Sequence, residues 1–182
     1  MSVTCVVHAA SDPEIAGLLQ APETIHDFLG NATPGRVGCL AGLFGGRAAK
    51  VVQSSRPENC DLDKSWEALH FVLSGGREES PLPAGFLRSG GEYVGDEDIG
   101  YEPARALPAA AVRELAAFLS AIPRMTFESR IDQVEMARLE IYGAPFPDDP
   151  EGLAYLVDDY ERLRSFIGQC AENEKGILIQ YV

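Results

Sequence analysis

Gly176-Ile177-Leu178-Ile179-Gln180-Tyr181-Val182 reads as a strand behind a glycine stop, and that reading decides the fold. The run from Ile177 to Val182 is β-branched and aromatic, and too short for a helix of ordinary length. A strand cannot stand alone, because its backbone donors and acceptors need a neighbour. The obvious partner is Val3 to Ala9, the other β-branched run. Between the two, helical patterns dominate. Asp148-Asp149-Pro150-Glu151 opens a long helix whose inner face runs through Leu153, Leu156, Tyr160, Leu163, Ile167 and Cys170. Helices with few strands and no βαβ alternation predict an α+β fold, with a small sheet pairing the N- and C-terminal strands.

The remaining segments follow from caps and breaks. Ser11 or Asp12 caps a helix with Pro13 in its first turn and Ile15, Leu18 and Leu19 inward. Ala21-Pro22 interrupts it, and Glu23 to Leu29 forms a short second helix ended by Gly30. Tyr93-Val94 reads as a short strand in a glycine-rich stretch. Val112, Leu115, Ala116 and Leu119 share one stripe of a further helix. Thr126 to Ile141 reads as one more, with Phe127, Ile131, Val134 and Leu139 among its apolar positions. Residues 30–60 carry Gly35, Gly38, Gly42, Gly45 and Gly46 and read as a loop or insertion, with Lys50-Val51-Val52 a candidate strand. The simplest organisation is a single domain over 1–182.

Composition bounds the function. The chain has 28 acidic against 15 basic residues, a net charge of -13. Nucleic-acid binding needs clustered Lys and Arg, and here they are scattered, so no nucleic-acid partner is expected. The same field repels an anionic membrane and favours a basic protein partner. No run approaches the length of a spanning helix, which is about 18 apolar residues, and the start lacks a signal peptide's basic region. Cys5, Cys39, Cys60 and Cys170 form no Cys-x-x-Cys pair and have no histidine at ligand spacing, so neither a metal nor another cofactor is called for. Reduced thiols place the chain in the cytoplasm. The glycine-rich stretch lacks both phosphate-loop signatures, and Asp96 to Gly100 fails as a calcium loop at its later positions.

Two patches can carry chemistry. In Asp61-Leu62-Asp63-Lys64-Ser65-Trp66-Glu67-Ala68-Leu69-His70-Phe71-Val72-Leu73-Ser74-Gly75, Asp63 suits the N-cap and Gly75 the left-handed C-terminal position. Trp66 and His70 lie one turn apart on the apolar face. His70 is either an acid–base or ligand-binding group in a cleft floored by Trp66, or a buried ring satisfied by a hydrogen bond. In Gly100-Tyr101-Glu102-Pro103-Ala104-Arg105-Ala106-Leu107, Tyr101 and Arg105 on a turn before a helix can bind an anion, or Arg105 pairs a carboxylate and Tyr101 pins the turn. The candidate pocket is therefore Asp61, Asp63, Lys64, Trp66, His70, Tyr101 and Arg105.

The pattern Asp61-Leu62-Asp63-Lys64-x-Trp66-x-x-Leu69-His70-Phe71-x-Leu73-x-Gly75 resembles the signature of the YfbM-like family of bacterial proteins. The Gly-Tyr-x-Pro-Ala-Arg turn and Glu140-Ile141-Tyr142 follow in the same order. The resemblance implies a compact α+β fold in bacterial cytoplasmic proteins without an assigned activity. It also marks a departure, since Gly143-Ala144 separates Tyr142 from Pro145. With no nucleophile pair and no metal spacing, the leading expectation is a binding or interaction protein, in one form an immunity-type protein covering a basic toxin. The alternative is a small-molecule-binding protein or enzyme with a His70/Tyr101/Arg105 pocket.

Overall fold

A computed structural model describes residues 2–30 and 57–182. The glycine-rich stretch from Gly35 to Gly46, the Lys50-Val51-Val52 strand and Cys39 lie outside the described residues. The expected terminal pairing is present: β1 (Cys5–Ala10) runs antiparallel to β5 (Gly176–Tyr181), with Val7 opposite Ile179. The sheet is wider than those two strands. β2 (Asn59–Asp61) flanks β1, while β4 (Arg105–Leu107) and β3 (Glu92–Tyr93) extend the other side in the order β2-β1-β5-β4-β3, every pairing antiparallel.

β5 sits at the centre and is buried along its whole length. Side chains alternate across a strand, so its two sets face different layers. Ile177, Ile179 and Tyr181 enter the larger core, with Leu69 and Leu73 of α3 (Trp66–Ser74), Val112 and Leu115 of α4 (Ala109–Ser120), and Leu163 and Ile167 of α7 (Pro150–Glu172). Leu178 faces the smaller core with Ile15 and Leu18 of α1 (Asp12–Gln20) and Ile25 of α2 (Ile25–Phe28). Cover on both faces explains why Ile177, Leu178 and Ile179 are apolar without alternation, and why the buried Gln180 beside them is bonded to His8 and to the Ile99 carbonyl.

Local signals account for several ends. Ser11 and Glu14 form a reciprocal capping box at α1, and Asp149 caps α7 by accepting from Gly152 N. Tyr160 of α7 donates to the Ile122 carbonyl at 2.5 Å and stacks on Phe127 at 3.9 Å, closing the end of α4.

Further local expectations are corrected. Thr126 to Ile141 is two short helices, α5 (Arg124–Glu128) and α6 (Gln133–Arg138), because Asp132 accepts from Glu135 N and restarts the chain. Val134, one of the apolar positions of that stretch, is 70% exposed, and Met136 takes the buried place. The first signature helix begins at Trp66: Asp61 is spent in β2, and Asp63 has φ 43° and caps nothing. Arg105 lies within β4 rather than on a turn before a helix. Gly176 belongs to β5; the helix before it ends at Glu172 and Glu174 makes the left-handed turn at φ 53°. Gly75 holds its expected left-handed position, φ 68°.

Candidate functional site

The entry to α3 sets the site. Asp61 Oδ1 accepts from Asp63 N at 2.9 Å, which folds the turn between β2 and the helix. Ser65 is then held against α7: its hydroxyl donates to Asp159 Oδ2, 2.5 Å away, with the Leu62 carbonyl at 2.7 Å. Asp159 is buried and ion-paired with Arg162, and its desolvation raises the carboxyl above the ordinary range against the opposing effects of Ser65 and Arg162.

Anchored there, α3 lays Trp66 edge-on against Tyr181 of β5, ring centres 4.8 Å apart. The indole Nε1 donates to the Val3 carbonyl at 3.2 Å. Glu67, one residue on, bonds Arg88 at 2.8 Å through one oxygen and accepts from Tyr142 N at 3.1 Å through the other. The Tyr142 hydroxyl in turn accepts from Val3 N at 3.1 Å. Tyr101 is 63% exposed, and its backbone N donates to the Tyr181 carbonyl at 2.9 Å. These contacts enclose a cleft of about 390 Å³ lined by Trp66, Tyr101, Tyr142 and Tyr181, with Val3, Glu67, Arg88 and Glu102.

His70 borders a second cleft, of about 330 Å³, which shares Glu67 and Arg88 with the first. The Glu67–Arg88 ion pair is thus the common wall. The His70 ring is 2% exposed, and its Nε2 lies 3.0 Å from the Arg77 carbonyl and 3.1 Å from that of Glu78. Two carbonyl acceptors require the proton on Nε2, leaving Nδ1 as a buried acceptor without a hydrogen bond. Burial lowers the His70 pKa, against the two carbonyls, which favour the charged ring.

Arg105 lines neither cleft. It is 2% exposed and donates to the carbonyls of Phe86 (3.1 Å), Leu87 (2.9 Å) and Gly90 (2.9 Å), and to the Tyr181 hydroxyl at 3.3 Å. It holds the loop that carries Arg88. The expected convergence of His70, Tyr101 and Arg105 is therefore corrected: Trp66 and Tyr101 share one cleft, His70 has the other, and Arg105 is a buried clamp beneath. Asp61, Asp63 and Lys64 are exposed at the helix entrance and border neither cleft.

Glu67, Arg88, Glu102, Tyr142 and Tyr181 were not among the sequence candidates. Glu67 reads locally as a helix-dipole partner, and Arg88 stands in a glycine-rich stretch with no motif around it. Only the tertiary fold brings them together. Burial pushes the Cys60 and Cys170 thiols up to about 11, and Cys5 higher still, so these thiols stay protonated. Among the described residues no group of three His, Cys, Asp or Glu stands close enough to hold a metal ion, and no helix is long and apolar enough to cross a membrane.

The family described as "Domain of unknown function (DUF1877)" matches residues 1–180. Among solved structures, the crystal structure of a protein of unknown function, YfbM from Escherichia coli, is similar with a TM-score of 0.66 and 17% identity, covering 98% of this chain and 99% of that one. At that identity the likeness is one of fold. No curated protein matches the chain. The signature helix, the Gly-Tyr-x-Pro-Ala-Arg segment and the paired terminal strands stand together in one α+β fold, and the chain belongs to the DUF1877 family of YfbM-like proteins.

Proposed function

We propose that this is a binding protein that engages a basic protein partner. One observation carries the reading: among the described residues most of the basic side chains are engaged, and an acidic turn is not. Arg88, Arg124, Arg138, Arg162, Arg164 and Lys175 each pair closely with a carboxylate, and Arg105 is buried among carbonyls, with Glu102 no nearer than 3.8 Å. Glu92, Asp96, Glu97 and Asp98 are exposed, and none of them forms an ion pair with a described residue. Such a face speeds encounter with a basic surface and suppresses acidic competitors. An immunity-type protein covering a basic toxin is the concrete form of this reading. The buried free thiols of Cys5, Cys60 and Cys170 support a cytoplasmic setting.

The test is fluorescence anisotropy with a labelled peptide of alternating Arg and Gly, at low and physiological salt. Neutralising Glu92, Asp96, Glu97 and Asp98 to their amides weakens binding by about tenfold, whereas neutralising Glu114, Glu140, Glu172 and Glu174 changes it less than about twofold. Equal losses from the two sets would reduce the effect to net charge and end the proposal.

A further inference from the structure

We infer that the cleft over Trp66 seats one arginine side chain of that basic partner. The inference rests on the basic-partner reading and deepens it. The walls are aromatic: Trp66, Tyr101, Tyr142 and Tyr181 line a single cleft. Ring faces attract cations, most strongly where water is partly excluded, and a guanidinium also stacks flat on them. Tyr101 keeps 63% of its surface exposed although its backbone is bonded to β5, so an unburied aromatic ring is held in place at the rim.

The charges decide the sign of the ligand. Arg88 is neutralised by Glu67 at 2.8 Å, and Arg105 is buried with three carbonyls and a tyrosine hydroxyl as acceptors. Arg105 has no exposed face to meet an anion, and Arg88 carries its countercharge with it. Glu67 is likewise satisfied at both oxygens, by Arg88 and Tyr142 N. Glu102 differs. Its carboxylate is 36% exposed, and its nearest cation is Arg105 Nε at 3.8 Å, beyond hydrogen-bonding distance. A carboxylate with open acceptor sites, among aromatic rings of which Tyr181 already has the Arg105 guanidinium 5.9 Å from its centre, suits a planar donor of positive charge. The volume of about 390 Å³ is near the small end for a ligand pocket, which suits one side chain better than a large cofactor. The acidic turn leads directly into Tyr101 and Glu102 along the chain, so the face that steers the partner ends at the cleft that holds it.

Trp66 is the only tryptophan, so its emission reports occupancy of the cleft. The probes are capped pentapeptides, Gly-Gly-X-Gly-Gly, with X as arginine, lysine or the uncharged isostere citrulline, and free methylguanidinium. The arginine peptide shifts Trp66 emission and binds about tenfold tighter than the citrulline peptide. Glu102→Gln and Tyr101→Ala each lose about tenfold, and Tyr101→Phe retains binding. Both side chains are solvent-exposed, and unchanged circular dichroism and melting confirm that the variants are folded. Equal binding of arginine and citrulline peptides, or no effect of Glu102→Gln, overturns the inference. Binding of methylguanidinium without binding of the arginine peptide makes the cleft a site for a small free guanidinium and overturns it too. If the Arg-Gly peptide binds and the cleft variants leave it unchanged, this inference falls while the basic-partner reading stands. If that peptide does not bind at all, both fall.

Discussion

Replacing Arg105 separates a structural clamp from an anion-binding group. Its guanidinium serves the carbonyls of Phe86, Leu87 and Gly90 and the hydroxyl of Tyr181, at 2.9–3.3 Å, with 2% of the residue exposed. A hydrogen bond from a charged donor contributes about 1.5–3 kcal/mol, and a buried acceptor left unpaired costs about 1–3 kcal/mol. Three orphaned carbonyls set an upper bound near the whole stability of a small domain, about 5–15 kcal/mol. The loop can relax and admit water, so the losses do not add in full. Arg105→Ala is expected to cost about 3–5 kcal/mol, in the range for removing one partner of a buried charged network. Arg105→Lys keeps the charge but replaces a planar fork by one nitrogen on a shorter reach, and is expected to cost about 2–3 kcal/mol. Urea unfolding followed at Trp66 measures both, since the indole packs against Tyr181, itself an Arg105 partner. A loss under about 1 kcal/mol for Arg105→Ala, coupled with phosphate stabilising only the native protein, would refute the clamp and restore the anion site.

Other expectations follow from burial and backbone. The lowered pKa of His70 means its contribution is complete above the ordinary value of 6.5 and is lost as pH falls below it toward the folded-state value. His70→Gln therefore flattens the decline in urea stability between about pH 7 and pH 5; an unchanged slope would show that other groups drive it. Asp159 has the opposite sign, because its raised carboxyl favours the native state below 3.8 and that advantage disappears as pH rises through the folded-state pKa. Stability of Asp159→Asn relative to the parent should thus rise between about pH 4 and pH 7, and a falling difference would contradict the desolvation account. Gly143 has φ 68°, and a β-carbon there would collide with the Lys64 carbonyl. Gly143→Ala is expected to cost about 2 kcal/mol and lower the melting temperature by about 4–8 °C, with no shift expected if the 143–145 turn moves freely.

The strands and helices legible in the sequence are those whose signals are local or doubly determined. Ile177 to Ile179 is apolar because β5 is covered on both faces, and Ser11 with Glu14 completes its cap within one turn. Three potential caps compete before α3: Asp61, Asp63 and Ser65. Which of them starts the helix depends on Asp61 pairing with Val6 across the sheet, a contact no local pattern contains. β4 escaped for a related reason. Its three residues, Arg105 to Leu107, are too few to show alternation, and a buried arginine looks like a surface one until the carbonyls around it are known.

The signature helix was legible as a landmark, but the partners of its side chains were not. Trp66 and His70 share a helix face, yet Trp66 turns to the end of β5 while His70 turns to the carbonyls of Arg77 and Glu78. The Glu67–Arg88 pair stands between their clefts. What converges instead is one residue from each of three separate fragments: Trp66 from the helix, Tyr101 from the Gly-Tyr-x-Pro-Ala-Arg segment, and Tyr142 from the Ile-Tyr turn. The bonds that assemble them run to the segment just before β1 and to the end of β5, Trp66 and Tyr142 to Val3 and Tyr101 to Tyr181. Pairing β1 with β5 thus builds the core and the cleft in the same act. Three rings scattered along the chain are, in three dimensions, one aromatic surface mounted on the end of the sheet.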